Sequence, residues 1–398
     1  MLEKSTMQLV KRIIIGVFVL LGIAVLTVYA TGNAYLIQGI RKTYLVGEKS
    51  PDIDDMTLFD VRKIAHGEPR FPIKYSAIQS VAFPEQYAAW NDSLGTTAYL
   101  VYWRDSLFFE RYWEGDSATV TNSFSMAKSV TALLIGCALD EGLIQSVDLP
   151  VSDFLPEYAT GLNASLTIRH LLTMTSGIPF GESYSSPFGY MARAYFGDDL
   201  KKETAAYSVE RDPNTLWVYE GGNTVLLGLI LQKATGKSPS AYLEEKLWKR
   251  LGTEQDAHWN LDQADGIEKT FSGLYATARD FSKIGSLVMH GGVLDGDTLL
   301  SSEFIGQALA PVMVPDYKGD VCDWYGWQWW LGNYEGKSMY MCRGMRGQYV
   351  ICIPELELMV VRIGHKQSKE RIRHIPSDLY TYIDIAIAML EQKGIRAL

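Results

Sequence analysis

Ser125 and Lys128 stand three residues apart in "NSFSMAKSVTALL", at the start of an apolar run. On a helix, residues i and i+3 share a face, so both side chains would point the same way. A serine hydroxyl is a weak nucleophile until a neighbouring base takes its proton. A partly desolvated lysine amine can be that base, because burial disfavours its charged form. The helix N-terminus would add backbone N–H groups able to hold an oxyanion. The competing reading is a capping serine beside a solvated lysine. A Ser-x-x-Lys pattern arises about once by chance in a chain of this length at ordinary composition, and it occurs once here. The rest of the chain must decide.

The elements that would position this pair can be read in order. "TAYLVYWRDSLFFERYW", Thr97–Trp113, is rich in β-branched and aromatic residues and turns at Arg104-Asp105, which predicts a hairpin. Ser125 to about Leu143 is apolar on most sides and predicts a buried helix. Residues 144–270 predict a mainly helical lobe, with Gly236 as one helix stop. Strands return in "YGWQWWLG" and in "GQYVICIPELELMVVRIG" around a Pro354-Glu355 turn. "PSDLYTYIDIAIAMLEQKG" predicts a closing helix, with Ser377 or Asp378 as N-cap and Gly394 as stop. The order implies an α+β architecture: an antiparallel sheet shared by N- and C-terminal strands, flanked by helices, with the helical lobe inserted. A cleft between lobe and sheet would then hold the pair.

Longer segments agree with one known family. "FSMAKSVTALLIGCALDEGLI", "DLPVSDFLPEY", "LTIRHLLTMTSGIP", "VYEGGNTVLLGLILQKATGKS", "GLYATARDFSKIG" and "GQYVICIPELELMVV" occur in the order found in the serine β-lactamase and penicillin-binding-protein superfamily. The chain resembles the class C-like esterase and amidase branch from about Pro72 onwards. "GQYV" is similar to the 6-aminohexanoate-oligomer (linear amide) hydrolases within it. The resemblance implies Ser125 as nucleophile, Lys128 as its base, and Tyr219 in "WVYEGGN" as a third catalytic member moving protons to the leaving group. It also implies an oxyanion hole from the backbone N–H groups of Ser125 and Gln348. Two departures stand out. Gly221 replaces the asparagine of the Tyr-x-Asn element, which removes an amide that would bind an acyl group. Met345, Arg346 and Gly347 fill the strand positions usually occupied by Lys-Thr-Gly or His-x-Gly. Arg346 or Arg343 would hold a substrate carboxylate through a guanidinium fork, or be surface strand residues. Gly347 would let substrate approach the strand. Trp327 in "YGWQWW" and Tyr184 in "GESYSSPFGY" are further substrate-contact candidates, with core packing as the alternative for each tryptophan.

Bulk properties narrow the field. The 398 residues carry 37 Lys and Arg against 46 Asp and Glu, a net charge of −9 with no basic tract, which argues against a nucleic-acid partner. No G-x-S-x-G elbow, H-E-x-x-H motif or clustered histidine spacing is present, so neither an α/β-hydrolase triad, a metal nor another cofactor is expected. Ile13–Ala30 has no charged residue and is long enough to cross a bilayer, with Lys11 and Arg12 before it. It reads as an anchor or as a signal segment cleaved near Ala30, with the bulk of the chain exported either way. The expected organisation is a cytoplasmic tail (1–12), the anchor or signal segment (13–30), a connector (31–70) and a hydrolase domain (71–398). Export would permit a disulfide between two of Cys322, Cys342 and Cys352, while Cys137 reads as a core residue. The sequence thus predicts a membrane-anchored serine hydrolase acting on a small amide or ester. A β-lactamase or D-Ala-D-Ala carboxypeptidase, and a non-catalytic envelope binding protein, are the alternatives.

Overall fold

Arg104 and Asp105 adopt left-handed backbone, at φ 49° and 56°, the two-residue turn that suits the twist of paired strands. They join β1 (Thr96–Trp103) to β2 (Ser106–Tyr112), the expected hairpin. In the computed structural model, which describes residues 2–68, 74–76 and 81–395, four later strands extend it. These are β3 (Trp330–Tyr334), β4 (Lys337–Gly344), β5 (Gln348–Ile353) and β6 (Leu358–Gly364). The sheet runs β2-β1-β6-β5-β4-β3 and is antiparallel throughout. Pro72, the expected start of the family likeness, lies outside the described residues.

Alternation along β6 separates two cores. Met359, Val361 and Ile363 face one cluster, and Leu358 and Val360 face the other. Helix α3 (Met126–Asp140), buried along nearly its whole length, and α6 (Ala278–Met289) pack on the first face. Helix α7 (Ser377–Glu391) covers the second through Leu379, Tyr382, Ile383 and Ala386. Neither Ser377 nor Asp378 caps α7. Pro376 takes the N-cap position, and Asp378 instead accepts the Tyr349 hydroxyl at 3.1 Å.

The lobe contains α4 (Tyr190–Phe196) and α5 (Gly221–Thr235), the latter ending at left-handed Gly236. It also holds a strand, Ala257–Asn260, within a four-stranded sheet that includes Val61–Ile64, Thr121–Asn122 and Leu274–Ala276. Residues 31–70 are therefore more than a connector. They supply that first strand and a helix, α2 (Ala34–Lys42), which follows the long apolar helix α1 (Leu2–Ala30). The four cysteines are free and buried. Cys342 faces Val350 and Cys352 faces Tyr340 in the β4–β5 register, two residues apart, while Cys322 belongs to the other core.

The two layers meet at the start of α3. A Cβ added at Gly344, the last residue of β4, would lie 2.1 Å from the Ser123 carbonyl oxygen and 3.1 Å from Gln348 Cβ. Only glycine permits that approach. Gly344→Ala is expected to force the strand away from Ser123 and cost about 1–3 kcal/mol. A urea unfolding midpoint equal to that of the wild type would contradict this constraint.

Candidate active site

Ser125 occupies the N-cap position of α3 but does not cap it. The turn into it is tight. Phe124 is left-handed at φ 46° and its N–H donates to Asn122 Oδ1 at 2.8 Å. The serine hydroxyl is left free to accept from Lys128 Nζ at 2.9 Å. Lys128 is 1% exposed and also donates to the Phe271 carbonyl at 3.0 Å. Glu182 Oε1 lies 3.9 Å from the same nitrogen, and the Tyr219 ring centroid 4.9 Å from it. The spacing seen in sequence has become a hydrogen-bonded pair.

Tyr219 precedes α5 and is placed by its neighbours. Val218 N–H donates to the Met174 carbonyl, and Glu220 accepts from the Phe180 and Gly181 N–H groups at 3.2 and 3.1 Å. The Tyr219 ring packs on Trp330 at 5.3 Å and edge-on to Tyr325 at 5.9 Å. Its hydroxyl has no hydrogen-bond partner among the described residues and faces the cleft that Ser125 lines.

Gly221 has a structural reason. Its N–H donates to Glu182 Oε2 at 2.6 Å, and a Cβ there would sit 3.3 Å from both that oxygen and the Phe271 ring. A carboxylate from a distant loop thus occupies the space that an asparagine side chain would need. Glu182 was not singled out in the sequence, since nothing local to "GESYSS" marks it.

The cleft has a volume of about 1110 Å³ and is walled by Trp217, Trp324 and Trp330 on one side. Strand β3 pairs with β4 only from Lys337 to Met341, which leaves Cys342–Gly344 without a β3 partner. Arg343, Gly344 and Met345 line the cleft there. The Arg343 guanidinium stacks 3.4 Å from the Trp330 centroid and donates to the His374 carbonyl at 2.7 Å. Burial pushes its pKa down to about 10. Tyr184 also lines the cleft and donates its hydroxyl to Glu182.

Four other expected positions lie elsewhere. Gln348 is fully buried, pairs with Gly344, and uses its side chain on the Met345 and Gly364 carbonyls. The backbone N–H groups of Ser125 and Met345, both on cleft-lining residues, have no acceptor among the described residues. Arg346 turns outward to Asp52 at 2.7 Å and Ser50 at 2.9 Å. Gly347 is left-handed at φ 87°, and a Cβ there would meet Arg362 Nη1 at 2.2 Å, so packing rather than substrate requires it. Trp327 is buried against Phe304 and Arg169. Trp327 and Trp329 face one core and Trp330 the other, and it is Trp330 that reaches the cleft.

A hydrogen-bonded serine and lysine at the start of one buried helix, beside an antiparallel sheet, form an arrangement in keeping with the β-lactamase fold. The chain belongs to the beta-lactamase family, whose pattern matches residues 91–381. It is 25% identical over 264 residues to the 6-aminohexanoate-dimer hydrolase of Paenarthrobacter ureafaciens, covering 60% of this chain and 64% of that protein. The match therefore spans a little under two thirds of that relative. A shorter match, 28% identical over 147 residues, joins it to the monacolin J acid methylbutanoyltransferase of Aspergillus terreus, covering 32% and 35% of the two chains. Among solved structures, a Bacillus anthracis protein provisionally assigned as a 6-aminohexanoate-dimer hydrolase superposes with a TM-score of 0.73. It is 20% identical and covers 84% of this chain and 93% of its own.

Burial raises Glu220 to about 7 and Asp55 to about 6. The folded protein holds the Glu220 proton up to about pH 7, whereas the unfolded chain releases it near the ordinary glutamate value. More protons are then bound in the folded state across that window, so stability declines as pH rises through it. Urea unfolding between pH 5 and 8 is expected to show this decline, with a shallower slope in Glu220→Gln. An identical slope in the variant would contradict the assignment.

Proposed function

We propose that the chain is a serine hydrolase that cleaves the ester or amide bond of a small substrate through an acyl-enzyme. The observation that carries this reading is the 2.9 Å contact between Lys128 Nζ and Ser125 Oγ at the mouth of the cleft. Ser125 Oγ attacks the carbonyl carbon while its proton passes to Lys128. The oxyanion is held by the N–H groups of Ser125 and Met345, the latter taking the role expected of Gln348. As the bond to the leaving oxygen or nitrogen breaks, the Tyr219 hydroxyl supplies a proton to it. Water then attacks the acyl carbon, the proton it gives up restores the tyrosine, and the acid is released as Lys128 returns its proton to Ser125 Oγ. Glu182 presents acceptors and no donor beside the acyl site, which disfavours the amide-directed binding expected of an efficient β-lactamase.

A fluorophosphonate probe should label the wild-type protein and leave Ser125→Ala unlabelled. Equal labelling of the two would refute the role of Ser125. Lys128→Ala and Tyr219→Phe should each lower kcat on a short-chain ester by about 10²–10⁴-fold. Nitrocefin should turn over more slowly than that ester.

The reading also has α1 crossing the membrane, with Lys11 and Arg12 inside and the hydrolase domain outside. Thr6–Ala30 is apolar and long enough for this. Protease added to spheroplasts should then digest the domain. A domain protected until the spheroplasts are lysed would reverse the topology.

A further inference from the structure

A second cavity, of about 570 Å³, lies beside the catalytic cleft. That volume is within the range of small-molecule sites, about 300–1,000 Å³. Its walls differ in character from those of the cleft. One side is α2 and the chain after it, with Leu36, Ile40 and Tyr44. The other is the 184–188 loop and α4, with Phe188 and Met191. Most of this lining is apolar, whereas the cleft carries Lys318, Asp320, Asp323, Arg371 and Arg373. Tyr184 and Met345 border both spaces. They stand between the apolar cavity and the cleft that holds Ser125.

The cavity's surroundings point to a bilayer. Helix α2 begins four residues after α1, the helix apolar enough to cross a membrane. It is docked on the hydrolase domain: the Arg193 guanidinium lies 4.9 Å from the Tyr35 ring centroid, and a Cβ at Gly39 would touch the Phe196 ring at 3.3 Å. Around the cavity, Leu45 is 73% exposed and Phe188 67%, with Ile40, Tyr44 and Val46 also exposed. A contiguous apolar patch beside a membrane-spanning helix is removed from water if it lies in the lipid interface. The exposed Arg41 and Lys49 would meet anionic headgroups there.

We propose that this cavity receives the hydrocarbon chain of a membrane-resident acyl ester or amide, with the scissile carbonyl at Ser125 and the polar remainder in the charged cleft. The inference rests on the acyl-enzyme reading above and specifies its substrate class. The chain enters from the lipid face, and rotation of the half-exposed Tyr184 and of the unbranched Met345 side chain opens the way between the two spaces. The Oγ–acyl bond forms as the bond to the polar leaving group breaks, that group departs with the proton that Tyr219 supplies, and water releases the fatty acid.

The full-length protein in phospholipid nanodiscs would be assayed with p-nitrophenyl butyrate and p-nitrophenyl laurate. Wild type should show kcat/KM at least tenfold higher on the laurate. Ala192→Trp, which fills the cavity from α4, and Ser186→Trp, which fills it from the loop, should lose that advantage and keep the butyrate rate within twofold. A laurate advantage that survives both substitutions, or laurate turned over no faster than butyrate by the wild type, would overturn the proposal. Butyrate turnover abolished by Ser125→Ala without a chain-length preference defeats only the substrate class. Absence of turnover on both esters in a folded protein that no fluorophosphonate labels defeats the acyl-enzyme reading with it.

Discussion

An amine buried as deeply as Lys128 must find polar partners, because an unpaired nitrogen in an apolar interior costs several kcal/mol. It finds them in three different segments: Ser125 on its own helix, the Phe271 carbonyl, and Glu182 on the loop before α4. Those contacts gather the sheet-facing helix and both halves of the lobe around one atom. The same atom donates to the Ser125 hydroxyl that lines the cleft. Satisfying the core and assembling the site are therefore one packing problem, and Glu182 serves both by also receiving the Gly221 N–H.

The sheet side depends on backbone approaches that leave no room for side chains. Gly344 abuts the Ser123 carbonyl, and Gly347 lies over Arg362. Arg362 is fully buried and donates to the Arg346 and Gly347 carbonyls on one arm and to Leu94 O and Thr96 Oγ1 on the other. That bracket holds the Met345–Gly347 turn against β1. Met345, which lines the same cleft as Ser125, therefore sits in a turn braced by the Arg362 guanidinium. A charge buried for this purpose has its hydrogen-bonding capacity used on carbonyls that would otherwise be unpaired.

What the sequence made legible was local. The β1–β2 hairpin, the serine helix and the closing helix each carry a clear period, and Ser125 and Lys128 are joined by helical spacing alone. What escaped depended on distance or on single backbone angles. Glu182 reaches Gly221 across 39 residues of chain. Alternation separates Trp327 from Trp330 without saying which face meets the cleft, and a three-residue turn shifted the cleft-facing backbone from Gln348 to Met345. The Val61–Ile64 strand is four residues long with one fully buried side chain, too short a pattern to distinguish from a connector.

That strand and α2 also change how the N-terminal segment relates to the site. A flexible linker would leave the domain free to tumble relative to α1. Here Tyr35 under Arg193, Gly39 against Phe196 and the Lys42 amine 4.1 Å from the Phe59 ring centroid join the chain after α1 to α4 and its surroundings. Asp52, further along, accepts from Arg346 and pairs with His365, whose pKa it raises to about 9. The segment between α1 and the domain thus touches both the loop side and the turn side of the cleft. Movement at either side must displace contacts made by residues that follow α1, so entry to the cleft that Ser125 lines is mechanically tied to α2 and the chain after it.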